Sequence, residues 1–261
     1  MFSEEHKRYL KKIRRNKFFV RFVQILIIAI LLISWQLAAG LGLINTFISS
    51  SPKAIISTIG GLYNDGSLFH HIWVTLYEVI VSFALGTIIG ILIATLLWRF
   101  TFLAKVFDPY LTVLNSLPKV ALGPIIIIVA GAGTGSIILM ALFISVIITI
   151  IDVHQAFMGT DSNKIRLLES FKASKTQMLF KLVLPSNYNN IISVFKVNLS
   201  LTFIGVIMGE FLVSKAGVGY LIMYGSQVFN LNLVMTGIIL LAIMASLMYY
   251  LILFMEKRLS R

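Results

Sequence analysis

Six stretches of this chain are apolar enough, over sufficient length, to cross a bilayer, and a polar run of about 25 residues separates the fourth from the fifth. They run from Phe22 to about Ala39, Ile72 to Trp98, Asp108 to Gly133, Ile137 to about Ile151, Pro185 to about Met208 and Val234 to about Met255. A soluble domain carries about a quarter of its residues as charges. Here 58% of the 261 residues are hydrophobic and only 12% charged, so the chain reads as an all-α, polytopic membrane protein.

The charge of +12 does not point to nucleic acid, because the basic residues flank apolar spans instead of covering one face of a soluble module. The chain has no cysteine, which excludes a disulfide framework or a thiolate metal site. Residues 1–21 hold eight Lys or Arg ahead of the first apolar run. That run is longer than the apolar part of a signal peptide and more spans follow, so it reads as a retained helix with Trp35 near its outer end.

Ser51-Pro52 opens a segment too short to span, at about 52–64, with Ile55, Ile56, Ile59 and Leu62 on one face. It reads as a helix on the outer membrane surface. His70 and His71 follow side by side, a spacing that points them to different helix faces and argues against a shared metal. In the second span Gly86, Gly90 and Ala94 recur at four-residue steps, a stripe that lets another helix approach. Pro118 and Pro124 interrupt the third span, which should be buried in the bundle or line a path, since freed backbone groups need partners at membrane depth.

The fifth span is the most polar. Asn189, Ser193, Lys196 and Ser200 form one stripe, while Asn198, Thr202, Gly205 and Gly209 form another. One stripe is expected to face a polar path and the other a packed neighbour. Lys119 and Lys196 lie about 16 Å along their helices, counted from Asp108 and Pro185 at about 1.5 Å per residue, so both fall near mid-membrane. They either give a positive path for an anion, or pair with Glu78 or Asp152, or snorkel to an interface.

The polar run, at about 158–185, reads MGTDSNKIRLLESFKASKTQMLFKLVLP. Asp161 or Ser162 can cap a helix in which Ile165, Leu168 and Phe171 share an apolar face. Such a basic amphipathic segment can contact either another protein or anionic lipid. With both termini inside, 18 of the 22 basic residues fall on the inner side, including the five of this run, as the positive-inside rule requires.

Order and spacing in this run resemble the "EAA" loop of ATP-binding-cassette (ABC) importer permeases. Pro185 takes the place of the loop's final Pro, and Ala173-Ser174 that of its Ala-Ser. Arg166 then stands at the usual Glu, Leu167 and Leu168 at the two Ala, and Lys172 at the Gly. The likeness extends to the nitrate, sulfonate and taurine branch. It rests on Ser34-Trp35-Gln36-Leu37-Ala38, Ser51-Pro52, Leu68-Phe69-His70-His71, Thr75-Leu76, Phe83 with Gly86, and Asp108-Pro109. Leu117-Pro118-Lys119-Val120-Ala121-Leu122, Pro124, Gly131-Ala132-Gly133, Glu210 and Gly217-Val218-Gly219-Tyr220 continue it. Glu78 for an Arg and Ser82 for a Gly are departures.

The resemblance implies a type I ABC importer permease fold with six transmembrane helices over 22–255, residues 1–21 and 256–261 being cytoplasmic. It implies a multi-pass protein of the bacterial cytoplasmic membrane, paired as a homodimer or with a close paralogue, two cytoplasmic ATPase subunits and an outer solute-binding protein. ATP and magnesium would then sit on the ATPase, and this chain lacks a P-loop to hold them. Arg166, Leu168, Glu169, Phe171, Lys172, Ala173 and Ser174 are the expected coupling residues, with Leu168 and Phe171 as the buried contact. Lys119, Asn189, Ser193, Lys196 and Ser200 are the expected path residues. Gly86, Gly90, Ala94, Gly205 and Gly209 are expected to pack helices; no catalytic or metal residue is expected. An ion-gradient-driven transporter is the rival reading, but internal repeats are not evident. A membrane enzyme would need ligand pairs that His6, His70, His71 and His154 do not make.

Overall fold

The computed structural model describes residues 4–259; Met1–Ser3 and Ser260–Arg261, at the ends of the two basic termini, lie outside the described residues, as does the side chain of His6. All regular elements among the described residues are helices. In chain order they are α1 (Glu4–Gly40), α2 (Thr46–Ser49), α3 (Pro52–Asn64), α4 (Ser67–Arg99) and α5 (Thr101–Ser116). A 3₁₀ turn over Lys119–Leu122 leads to α6 (Gly123–Ala130) and α7 (Thr134–Met158). Then come α8 (Ser162–Ser170), α9 (Lys175–Met178), a π turn over Leu179–Val183 and α10 (Leu184–Ser186). Helices α11 (Tyr188–Val213), α12 (Val218–Gln227) and α13 (Leu231–Leu259) complete the chain.

Five of these, α1, α4, α7, α11 and α13, are long and apolar enough to cross a membrane. The third expected span is instead a broken pair: α5 and the segment Lys119–Ala130 meet at 87°. The cause is local. Leu117, ahead of Pro118, is held extended at ψ 140°, as the proline ring requires of the residue before it. Asp108-Pro109 does not open this segment, because α5 starts at Thr101 and carries Pro109 inside it. No residue of α5 is buried within the chain, so of the two expectations, burial in the bundle or lining a path, the first is not met within one chain.

Helix α7 packs along both α4 and α11, and small residues set the spacing. A Cβ on Gly205 would stand 2.5 Å from Ala141 Cα, and one on Gly209 would stand 3.0 Å from Ile137 Cα. A Cβ on Gly86 would stand 2.8 Å from Ser145 Oγ, and one on Gly90 would stand 2.5 Å from Thr149 Cγ2. Ala94, one step further, is fully buried. Both glycine-bearing stripes therefore face α7. Beside α7, α11 and α4 are joined directly where Asn198 Nδ2 donates to Thr87 Oγ1 at 2.7 Å, which satisfies a buried amide.

One apolar cluster joins α4, α7, α11, α12 and α13 through residues such as Val79, Ile137, Val206, Val218 and Met244. A second lies where α4, α7 and α11 meet the α8–α10 segment, and Ala94, Trp98, Val153, Phe157, Val183 and Val194 come together there. These ends are termed inner, after the orientation expected from the basic residues, and the opposite ends outer. Helix α3 packs Ile59 and Leu62 on the first cluster and buries Ile55. Ile56, expected on that face, is 71% exposed, because the apolar stripe is narrower than the helical spacing suggested.

Candidate functional site

Three features sit at different levels of α11: an inner segment that projects from the spans, a polar exposed face, and an outer clasp. The inner segment is built on the second apolar cluster. Asp161 caps α8 by accepting from Asn163 N at 2.9 Å, and Ser174 with Gln177 forms a reciprocal capping box at the start of α9. Asn187 Nδ2 donates to Thr160 Oγ1 at 2.7 Å and to Val183 O at 2.9 Å, both side chains being buried. This pair closes the base of the segment. Arg99 donates to Thr176 Oγ1 at 3.4 Å and the Lys175 ammonium lies 5.9 Å from the Trp98 ring centre, so α9 is also tied to the inner end of α4.

Of the expected coupling residues, Arg166, Glu169, Phe171, Lys172 and Ser174 are exposed, while Leu168 and Ala173 pack against the inner cluster together with Ile165. Leu168 is thus not an outward contact. Ile165 and Leu168 are three apart and share the inward face, while Leu167 and Phe171, the latter just past the end of α8, lie about 110° round the helix from them, at 56% and 74% exposure. Leu167 is an exposed apolar residue of this segment that helical spacing alone did not single out. Lys172, at the position the resemblance pairs with Gly, has φ 55°. Its N–H donates to Glu169 O at 2.8 Å and that of Ala173 to Leu168 O at 3.0 Å, a left-handed helix end that glycine adopts with least strain.

The expected path residues separate. Asn189, Ser193 and Ser200 lie exposed on one face of α11, opposite the packed stripe of Asn198, Thr202, Gly205 and Gly209. Ser193 and Ser200 return their hydroxyl protons to the helix, to Asn189 O and Lys196 O. Lys196 pairs with Glu256 of α13 at 2.9 Å, and with neither Glu78 nor Asp152. Helix α11 begins at Tyr188, so Lys196 stands about 12 Å from its start. Lys119 is not part of a continuous helix, so the count along one fails. Its ammonium folds back on Asn115, at 2.9 Å from the carbonyl O and 3.3 Å from Oδ1.

The outer clasp holds the first turn of α12. Glu210, 1% exposed near the outer end of α11, accepts from the N–H groups of Gly219 and Tyr220 and from the hydroxyl of Thr75. Thr75 Oγ1 in turn accepts from Val218 N at 2.7 Å, and His71 Nδ1 accepts from Gly217 N at 3.0 Å. Four consecutive N–H groups at a helix start are thus satisfied by side chains of α4 and α11. Gly217 has φ 114°, and a Cβ there would collide with the Glu210 carboxylate; one on Gly219 would lie 2.6 Å from Glu210 Oε2. This explains the grouping of Glu210 with Gly217-Val218-Gly219-Tyr220. Glu78, where the resemblance places an Arg, instead sets a second, fully buried carboxyl group against Glu210.

Residues 86–261 match the family described as binding-protein-dependent transport system inner membrane component. The putative aliphatic sulfonates transport permease of Bacillus subtilis is 27% identical over 91% of this chain and 86% of its own length. The fold is similar to that of a bacterial ABC transporter involved in import of the acidic polysaccharide alginate, with TM-score 0.67, 14% identity and coverage of 97% of this chain and 100% of that one. It is also similar to the methionine ABC transporter in inward-facing conformations, with TM-score 0.63, 21% identity and coverage of 74% and 94%. The family match spans most of the chain, and the relatives named for sulfonates, taurine and nitrate agree with it: the chain belongs to the binding-protein-dependent inner membrane component family, as an ABC importer permease of the nitrate, sulfonate and taurine branch.

Proposed function

We propose that this chain is the gate of an ATP-driven importer whose motor is a separate, cytoplasmic ATPase bound through α8. The observation that carries the reading is the pair Leu167 and Phe171, exposed on and just past the end of a short capped helix whose inward face rests on the inner ends of α4, α7 and α11. An ATPase groove that buries those two side chains would grip a lever joined to the spans. Closure of its nucleotide sites would then be transmitted as movement of their inner ends. Arg166 and Glu169 would form the polar rim of that contact, with Lys172 and Ser174 at its border.

In this reading ATP and magnesium bind the partner, both termini and α8 are cytoplasmic, and two copies of the chain enclose the path with two ATPase subunits below and a solute-binding protein outside. The exposed face of α5 fits a second copy. Gly86, Gly90, Ala94, Gly205 and Gly209 hold α4 and α11 to α7 so that each copy moves as a unit. The path wall would include Asn189, Ser193 and Ser200, with Lys119 at the break after α5. Lys196, neutralised by Glu256, adds no net charge to it. Relatives are named for aliphatic sulfonates, taurine, formylaminopyrimidine, riboflavin and nitrate, so a small organic or inorganic solute of this range is the cargo.

Purification with an ATP-hydrolysing chain, followed by uptake in proteoliposomes that depends on internal ATP and an added binding protein, tests the proposal. Uptake by this chain alone under a proton gradient would replace it with a secondary transporter. Labelling of residues 160–184 from the exterior of intact cells would exclude the ATPase contact.

A further inference from the structure

A recess of about 290 Å³ opens between the inner parts of α7 and α11, and its polar lining is Asp152, Gln155, Asn190 and Ser193. Asp152 lies about 9 Å before the end of α7, and Ser193 about 7 Å beyond the start of α11, at about 1.5 Å per residue. Four polar side chains gathered there are poorly matched to lipid tails. Their position also continues the exposed Asn189, Ser193 and Ser200 face of α11.

The chemistry of the recess is one-sided. It holds one carboxylate, two amides and a hydroxyl, and no basic side chain lines it. No hydrogen bond or ion pair from a described residue reaches the half-buried carboxylate of Asp152. Lys196, the nearest cation in sequence on α11, turns to Glu256 of α13 instead. An uncompensated carboxylate in a site of reduced dielectric attracts a cation strongly, while the amides can accept from or donate to whatever accompanies it.

We infer that this recess is a solute subsite, taking the protonated amino or other cationic group of the cargo as it leaves for the cytoplasm. The inference rests on the importer reading and narrows it: solutes with a cationic group, such as amino sulfonates or amino-substituted heterocycles, suit the wall better than nitrate or a plain alkanesulfonate. Asp152 is the charge that attracts, and Asn190, Gln155 and Ser193 are the groups that orient.

The absence of cysteine allows a direct test. Ser193→Cys, and separately Asn190→Cys, place a single thiol in the recess of the assembled complex in proteoliposomes. Each is reacted with trimethylammonium-ethyl and sulfonato-ethyl methanethiosulfonate, cationic and anionic reagents of similar size. The expected result is a cationic-to-anionic rate ratio at least tenfold above that for a free small thiol, lost when Asp152→Asn is added. A ratio unaltered by Asp152→Asn, or thiols that react with neither reagent at both positions, overturns the subsite. Those outcomes in a complex that still couples ATP hydrolysis to uptake leave the importer reading standing, whereas a preparation without ATP-dependent uptake removes that reading and, with it, the subsite.

Discussion

The two ends of α11 are finished in opposite ways. At the outer end, Glu210, Thr75 and His71 satisfy the first N–H groups of α12, and two glycines leave just enough room for the carboxylate. At the inner end, capping and the Asn187–Thr160 bond fix α8 in place, yet Leu167 and Phe171 remain in the open. The four N–H groups of the outer clasp are all satisfied within one chain. The inner segment is capped and tied down yet leaves two large apolar side chains exposed, as the proposed ATPase contact requires. Stability should therefore be concentrated at one end and assembly at the other.

The largest effect expected to sharpen this contrast is Glu210→Ala. It strips three buried donors of their acceptor and should destabilise the chain by about 3 kcal/mol or more, at about 1–3 kcal/mol for each unsatisfied buried group. Thermal unfolding of the detergent-purified protein reads this, and Glu210→Gln, which keeps an acceptor oxygen, should recover part of it. A Glu210→Ala protein as stable as its parent would break the comparison at the outer end.

Next in size, Phe171→Ala should leave the unfolding temperature within a degree or two of the parent, while weakening capture of the ATPase by about 2 kcal/mol, or about thirtyfold. Leu167→Ala should behave alike with a smaller loss. Leu168→Ala should do the reverse, lowering stability because its side chain packs on the inner cluster. If Leu168→Ala spared the fold and abolished capture, the assignment of faces on α8 would be wrong.

The smallest effect is that of Lys172→Gly. Relief of the left-handed backbone at φ 55° should stabilise the end of α8 by up to about 1 kcal/mol, seen as slower amide exchange at Lys172 and Ala173. Faster exchange would show that the lysine side chain, and not the backbone, decides that position.

Much of the fold was legible because spans announce themselves by length and hydropathy, and the division of α11 into an exposed and a packed stripe followed from helical spacing alone. The basic amphipathic run was recognisable as a helical segment between spans, and its order of residues carried the family. Which of Leu167 and Leu168 faces outward was not legible, since adjacent residues differ by about 100° and the answer depends on where the core lies. Nor was the pairing of Lys196 with Glu256, or the clasp between Glu210 and Gly219, because spacing within one helix is silent about which helix lies beside it. Pro118 signalled an interruption, but the 87° turn that it initiates is set by how α6 lies against α7 and α11.

The π turn over Leu179–Val183 has a consequence for any attempt to relate the two ends mechanically. Such a turn winds in more residues per revolution than the helix around it, so side chains before Leu179 and after Val183 are out of phase with a single regular spiral. A wheel drawn continuously from Lys175 through Ser200 would therefore assign the wrong azimuth to every position beyond it. The extra residue is slack in the linkage, and the angle at which a push on α9 arrives at α11 depends on whether that slack is kept.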